Sequence, residues 1–220
     1  MTQVVAPLSP NEFQSVTDVS RETMARLTTY VVTLTKWQRA INLVSRRSLD
    51  DVWRRHIMDS VQLLSHAPHA PSLDAQVWFD LGSGAGLPGL ILAILGVGQV
   101  HLVESDSRKC AFLAEAARLT KTRVTLHNCR IEDIWLKAIQ PERVDVITAR
   151  ALAEIDSLID LASPIATQDT VCLFLKGQDV ENELTNSSKI GTLSVDKLPS
   201  TTNPDSVILQ LGGLGREGQF

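Results

Sequence analysis

The chain changes its hydrophobic period once. Up to about residue 65, apolar positions recur every three or four residues. Met24, Leu27, Val31, Leu34 and Ile41 make one stripe, and Val52, Ile57, Val61 and Leu64 continue apolar positions beyond it. That spacing puts side chains on one face of a helix. Ser9 and Glu12 have capping-box spacing with Pro10 at a first-turn position, and Ser48 with Asp51 suggests a further helix start. Residues 1–65 therefore predict an all-helical element. His66-Ala-Pro-His-Ala-Pro-Ser-Leu-Asp74 breaks the pattern, so residues 66–75 read as a proline-broken linker.

Beyond the linker, short apolar runs alternate with helical stretches. Val77–Leu81, Val100–Glu104, Val124–His127, Val144–Thr148 and Val171–Leu175 predict strands. Leu90–Leu95, Arg108–Leu119 and Ile155–Ala162 predict helices between them. Alternation of this kind requires crossover connections and a mostly parallel sheet. The last two runs, Ile190–Val195 and Ser206–Leu211, have no clear helix between them and predict a terminal antiparallel hairpin. The ordered part then covers residues 76–211, followed by a glycine-rich tail, 212–220, expected to be flexible.

Composition narrows this little. A length of 220 residues suits one core with a small appended element. No apolar run reaches the ~18 residues of a membrane span, and Met1 to Glu12 lacks the pattern of a secretory signal. Cys110, Cys129 and Cys172 are odd in number and far apart, which fits free thiols in a reducing cytoplasm and offers no metal site. The net charge of −4 speaks against indiscriminate nucleic-acid binding. Its distribution matters more. Lys36, Arg39, Arg46, Arg47, Arg54 and Arg55 crowd one segment against only Asp50 and Asp51. Taken alone, such a run is a solvated helical face.

Candidate chemistry lies in Val77-Trp-Phe-Asp-Leu-Gly-Ser-Gly-Ala-Gly-Leu-Pro-Gly89. An apolar strand ends in Asp80, and a loop follows with glycines at Gly82, Gly84 and Gly86 before Leu87. Such a loop turns sharply and lets its backbone approach a ligand at the carboxyl end of a parallel strand. The next strand ends at Glu104, where a carboxylate can accept both hydroxyls of a ribose. Asn128-Cys-Arg-Ile-Glu-Asp133 follows the third strand, beside the place of an adenine, and Thr148-Ala-Arg150 ends the fourth.

Gly84-x-Gly86-x-x-Gly89 also fits the fingerprint of an NAD-dependent dehydrogenase. Asp80 decides against it, because a carboxylate before the loop suits the cationic amino acid part of S-adenosylmethionine and repels a pyrophosphate. The predicted class is α/β, a Rossmann-like seven-stranded S-adenosylmethionine-dependent methyltransferase sheet with an N-terminal helical element. Asp106 and Arg108 read as a helix start, Trp37 and Trp53 as core, and His56 alone as a satisfied histidine.

Absences restrict the methyl acceptor. The fourth strand is followed by Thr148-Ala-Arg-Ala151, not by the Asn/Asp-Pro-Pro-aromatic stretch of exocyclic amino methylation. No Pro-Cys or Thr-Cys pair serves covalent attack on a pyrimidine. A ring nitrogen with a free lone pair needs neither device, and positioning does most of the work.

At this point the motifs resemble a family, the bacterial small-subunit (16S) ribosomal RNA guanine nitrogen-7 methyltransferases, also called glucose-inhibited division protein B. The resemblance spans about residues 20 to 211. It is carried by Trp37-Gln-Arg-Ala-Ile-Asn-Leu-Val-Ser45, Arg55-His-Ile-Met-Asp-Ser60, Asp80 to Gly89, Arg130-Ile-Glu132, Ala149-Arg-Ala151 and Leu175-Lys-Gly-Gln178. It implies Gly82, Leu87, Ile131, Glu132 and Arg150 as cofactor contacts, with Glu104 at the usual acidic position. It places Asn42, Arg55, His56, Asp59, Ser60, Arg150 and Lys176 on the acceptor side, with Arg150, Lys176 and His56 as catalytic candidates. The basic segment, with Arg46, Arg47 and Arg54, becomes a phosphate-contacting face. The implied partner is 16S ribosomal RNA in small-subunit particles, met in the cytoplasm by a monomer without metal. Gln38 departs from the family's usual Asn, and Asn203-Pro-Asp205 from its usual basic residues; both bear on RNA contacts. A methyltransferase of small molecules or proteins would share the cofactor half without needing the basic helices. A non-catalytic scaffold would not need Glu104, Arg150 and Lys176.

Calorimetry should register binding of S-adenosylmethionine or its demethylated product and none of NAD. Tight NAD binding with no response to S-adenosylmethionine would sink the cofactor reading.

Overall fold

The computed structural model describes residues 6–69, 71–134 and 142–215. Seven strands make one sheet: β1 (Val77–Leu81), β2 (Gln99–Glu104), β3 (Thr125–Asn128), β4 (Val146–Arg150), β5 (Val171–Lys176), β6 (Ser194–Pro199) and β7 (Val207–Gly212). Their order is β3-β2-β1-β4-β5-β7-β6. The first five are parallel, and β7 runs antiparallel to both neighbours. The terminal hairpin is therefore present. Its first strand starts later than the apolar run suggests, because Ile190–Thr192 forms a 3-10 turn. The strand order reverses at β1 and β4, so a crevice opens at their carboxyl ends.

The helices before the sheet are α1 (Pro10–Thr17), α2 (Arg21–Trp37) and α3 (Arg46–Leu49). A π-helical stretch, Trp53–Met58, then runs into α4 (Asp59–Val61) and a 3-10 turn, Gln62–His66. α1 starts as its spacing predicts: the Glu12 N–H donates to Ser9 Oγ at 3.3 Å, and the Glu12 carboxylate accepts the Ser9 N–H at 2.8 Å. The predicted start at Ser48 is corrected. Ser45 caps α3 by accepting the Ser48 N–H, and Ser48 itself is buried. The apolar stripe holds through Leu34, and α2 stops before Ile41. Gln38 ends that helix. Its Oε1 accepts the N–H groups of Leu43 and Val44 at 2.9 and 3.0 Å, and its Nε2 donates to Val44 O at 2.7 Å. Its longer side chain closes the turn that leads to the basic residues.

The remaining helices are α5 (Gly89–Ile94), α6 (Ser107–Leu119), α7 (Ile155–Ala162) and α8 (Val180–Asn186). α8 escapes the pattern reading because Val180 and Leu184 are its only apolar residues. Asp106 caps α6 by accepting the Arg108 N–H at 2.8 Å. The sheet is covered on both faces. Trp78, Val100, Leu102 and Val146 pack with Leu27, Tyr30 and Leu34 of α2 and with Phe112 of α6. Phe79, Leu81, Ile147 and Phe174 pack with Ile155, Leu158 and Ile159 of α7. Burial on both sides makes β1 a continuous apolar run around Asp80. Truncating a fully buried leucine such as Leu27 to Ala costs about 2–5 kcal/mol.

The linker is pinned at its end. Gln76 Nε2 donates to Pro68 O and Pro71 O at 2.7 and 2.9 Å, and Gln76 Oε1 accepts the indole N–H of Trp78 at 2.8 Å. Of the glycine-rich tail, residues 216–220 lie outside the described residues, as do residues 1–5 of the helical element. Among the described residues, no helix is long and apolar enough to cross a membrane.

One hydrogen bond ties α2 to the future site. The hydroxyl of Tyr30, a fully buried residue, donates to Ala85 O at 2.7 Å, in the loop after β1. Tyr30→Phe leaves that carbonyl buried and unpaired, a cost of ~1–3 kcal/mol. The melting temperature should fall by about 2–4 °C per kcal/mol, with weaker cofactor affinity. Unchanged melting would show that the hydroxyl does not hold the loop.

Candidate active site at the rim of the sheet

The loop from Gly82 to Leu87 crosses the carboxyl end of β1. Gly82 has φ +65°, a conformation that favours glycine, and a Cβ there would lie 2.6 Å from Leu152 Cδ1 and displace that side chain. Gly84 has φ +55°, but its Cβ would meet nothing closer than Gly82 O at 3.8 Å. The loop thus shows open backbone at Gly84, the approach a ligand needs. Gly86 and Leu87 lead into α5 and are buried.

Asp80 does not face that opening. It is 1 % exposed; Oδ1 accepts the Thr148 hydroxyl at 2.9 Å and Oδ2 the N–H of Gly89 at 3.2 Å. Burial pushes its carboxyl up to about 6, against the lowering effect of the Thr148, Ser83 and Gly89 bonds. The expectation of a carboxylate facing the ligand's cation is corrected: Asp80 ties the loop to α5 and β4 from below. The sequence puts Thr148 at the end of the fourth strand without giving it a role. A hydroxyl in a strand buried on both faces was the available signal.

Glu104 does stand at the rim. Its Oε2 accepts the Gly84 N–H at 2.9 Å and its Oε1 the Asp106 N–H at 2.8 Å. Each carboxylate oxygen keeps acceptor capacity for a ribose hydroxyl. Asn128 Nδ2 donates to the carbonyls of Glu104 and Ser105 at 3.1 and 3.2 Å, which joins the ends of β2 and β3. Half-buried Ile131 and exposed Glu132 follow in a 3-10 turn at the same rim. The loop, Glu104 and this turn converge as nucleoside binding requires, and the residues present fit S-adenosylmethionine.

Across the crevice, Arg150 ends β4. One guanidinium nitrogen lies 2.9 Å from His56 Nδ1; the other donates to Arg55 O at 2.8 Å and lies 3.3 Å from Asp59 Oδ2. A guanidinium only donates, so Nδ1 accepts and the ring hydrogen sits on Nε2. That nitrogen donates to Ser48 Oγ at 2.9 Å, and Ser48 donates on to Ser45 O at 2.7 Å. Burial first, then the charges of Arg150 and Arg55, push His56 down to about 3. His56 is therefore neutral with both nitrogens engaged. It orients Arg150 and has no free lone pair for proton transfer.

Other acceptor-side candidates separate into two groups. Ser60 is 0 % exposed and donates to His56 O at 2.8 Å, so it cannot reach RNA. Asp59 is turned inward, accepting from Gln62 Nε2 at 2.9 Å and from Thr202 Oγ1 at 2.7 Å. Arg54 pairs with Asp51 at 3.0 Å and donates to Ala6 O at 2.8 Å, while Asp51 accepts the Leu8 N–H at 2.8 Å. It fastens the chain's start and is not a free phosphate ligand. Asn42, Arg46, Arg47 and Arg55 are exposed, and their side chains form no ion pair among the described residues. Asn203 Nδ2 donates to Ser206 Oγ at 2.8 Å, within the turn between β6 and β7.

Lys176 ends β5, donating to Ala153 O at 2.9 Å and pairing with Glu183 at 2.6 Å. It lines a cleft of about 260 Å³ beside Arg150, Ala151, Leu152, Gln178 and Glu183. Ala151 holds φ +49°, a left-handed conformation that a side chain rarely adopts and that clusters at functional sites.

The antiparallel seventh strand inserted beside β5 separates this sheet from the dinucleotide-binding order. With the open rim, it defines a Rossmann-like S-adenosylmethionine-dependent methyltransferase. Solved structures share the fold: a fibrillarin/Nop5p complex (TM-score 0.57, 16 % identity, 74 % of this chain and 83 % of that one) and a precorrin-6y C5,15-methyltransferase from Geobacter metallireducens (TM-score 0.52, 13 % identity, 79 % and 91 %). A family model described as rRNA small subunit methyltransferase G matches residues 23–205. A ribosomal RNA small subunit methyltransferase G of Rhodospirillum rubrum is 48 % identical over 209 residues, covering 95 % of this chain and 100 % of that protein. One of Parvibaculum lavamentivorans is 44 % identical over 230 residues, covering 100 % and 98 %. The chain belongs to the rRNA small subunit methyltransferase G family.

His56 generates a pH prediction. An unfolded histidine binds a proton below about 6.5. Folded His56 does not until about 3, so stability is lost as pH falls between those values. The melting temperature of wild type should fall faster than that of His56→Gln between pH 7 and 5; other groups, Asp80 included, cancel in the difference. Parallel profiles would sink the assignment.

Proposed function

We propose that this chain transfers a methyl group from S-adenosylmethionine to nitrogen 7 of a guanine in 16S ribosomal RNA. It acts as a monomer on small-subunit particles in the cytoplasm. Family membership supports the RNA, and the engaged state of the rim's bases supports the ring nitrogen. Nitrogen 7 has no proton to lose. Correspondingly, both ring nitrogens of His56 are engaged, Asp59 accepts from Thr202 and Gln62, and Asp80 is sealed at 1 % exposure against Thr148 and Gly89.

When bound, S-adenosylmethionine supplies an electrophilic methyl on a sulfonium. Glu104 and the Gly82–Leu87 loop hold the nucleoside and amino acid parts, and Ile131 with Glu132 flanks the adenine. Arg150 and Lys176 orient the acceptor. The transfer leaves a positive charge on the purine, which bare cations nearby would oppose. Here Arg150 is paired with Asp59 and Lys176 with Glu183, so the rim stays close to neutral. Rate enhancement comes mainly from alignment, which can contribute ~7–11 kcal/mol.

The helical element, residues 1–65, is the RNA-side cap on the methyltransferase domain, 76–211. Arg46 and Arg47 on α3, with Asn42, Arg55, Lys36 and Arg39, are exposed and form the phosphate-contacting face. The test is methylation of small-subunit particles, with product nucleosides identified by mass spectrometry. Wild type should yield 7-methylguanosine; methylated cytosine or adenine refutes the chemistry. Arg46→Glu with Arg47→Glu should lower RNA use about tenfold or more, flatten its salt dependence by about one to two in log–log slope, and spare cofactor affinity. Arg54→Glu should instead lower thermal stability. Undiminished methylation by the doubly reversed protein refutes the face.

A further inference from the structure

The cleft beside Arg150 holds unused hydrogen-bonding capacity. Lys176 is nearly buried, at 10 % side-chain exposure, and pairs with Oε2 of Glu183 on α8. The same Oε2 accepts the N–H of Ile155 at 3.0 Å, at the start of α7. One ammonium hydrogen of Lys176 goes to Ala153 O, and the ammonium is ion-paired with Glu183 Oε2 at 2.6 Å. Beyond the Ala153 bond the ammonium makes no hydrogen bond, and Glu183 Oε1 has no partner, among the described residues. Both side chains line the cleft, whose other walls include Leu152, Leu158 and Leu175. A largely desolvated ion pair gains from having its remaining valences used. The volume, about 260 Å³, exceeds the ~150 Å³ cavity that encloses benzene and admits a purine.

Guanine presents an acceptor, O6, beside two donors, N1–H and the 2-amino group. Adenine presents a donor at position 6 and an acceptor at N1. Lys176 and Glu183 offer a donor and an acceptor side by side, in the order that guanine matches and adenine opposes. A base out of its stack is read on this edge.

We infer that the Lys176–Glu183 pair selects guanine: Lys176 Nζ donates to O6, and Glu183 Oε1 accepts from N1–H and the 2-amino group. This rests on the methyl transfer proposed above and adds the specificity-determining residue, Glu183. With O6 held at Lys176 and N1–H at Glu183, nitrogen 7 lies on the base's other edge and makes neither of these bonds. The Ile155 N–H fixes Glu183, so the reading edge is formed before the base arrives.

The test uses particles reconstituted with RNA carrying guanosine or inosine at the methylated position. Inosine lacks only the 2-amino group. Wild type should methylate inosine with kcat/KM lower by roughly 10- to 150-fold, the size of one charge-assisted hydrogen bond. Glu183→Gln can keep its oxygen on the Ile155 N–H while turning an NH2 to the cleft. It should lose activity on guanosine, narrow the guanosine–inosine gap to about twofold, and bind S-adenosylhomocysteine as wild type does. Equal use of both bases by wild type overturns the inference without reliance on any variant. So does a gap in Glu183→Gln as wide as wild type's. Failure of wild type to form 7-methylguanosine on guanosine particles overturns the underlying reaction as well.

Discussion

Arg150 is the point at which the two halves of the chain meet. Its guanidinium leaves the end of β4 and donates to a ring nitrogen and a backbone carbonyl of the π-helical stretch, with Asp59 supplying the counter-charge. These donors are directional, so the bonds set the height and tilt of the helical element over the crevice. π-helical turns recur at functional sites. Here the extra residue per turn accompanies Arg55 O and His56 Nδ1 both reaching one side chain. Removing Arg150 would leave His56 Nδ1 and Arg55 O without this donor and Asp59 without its counter-charge.

The same economy governs the ligand side of the crevice. A carboxylate sealed at 1 % exposure is costly unless its lone pairs are used, and Asp80 uses them on Thr148 and Gly89. The glycine loop is therefore gripped from below by Asp80, from the side by Glu104 and from the helical layer by Tyr30. Three side chains from three elements thus hold one short loop. The open backbone at Gly84 is what remains for a ligand.

Charge is balanced on the other wall. Arg150 and Lys176 each carry a carboxylate, which suits a reaction that makes a new cation on the purine. The exposed arginines of α3 stand apart from these pairs. Attraction to phosphate is thereby separated from the electrostatics of methyl transfer, although Ser48 links α3 to His56 by one hydrogen bond.

The fold and the cofactor half were legible because they rest on short-range rules. Strand and helix periods, the glycine loop and the acidic end of β2 are local, since backbone geometry makes the same demand wherever these segments occur. α8 was not legible, having two apolar residues, and the hairpin's first strand was displaced by a 3-10 turn that no apolar spacing signals. The sequence by itself determined a methyltransferase-type sheet, its nucleoside rim and a basic segment before it. Tertiary structure alone decided which polar residues face outward. Asp80, Asp59 and Ser60 resemble ligands in the sequence but turn inward, Arg54 is tied to Asp51 and Ala6 O, and Tyr30, Thr148 and Glu183 gain roles from partners tens of residues away. The reason is that a buried polar atom must find a partner wherever the fold places one, and that pairing carries no period along the chain.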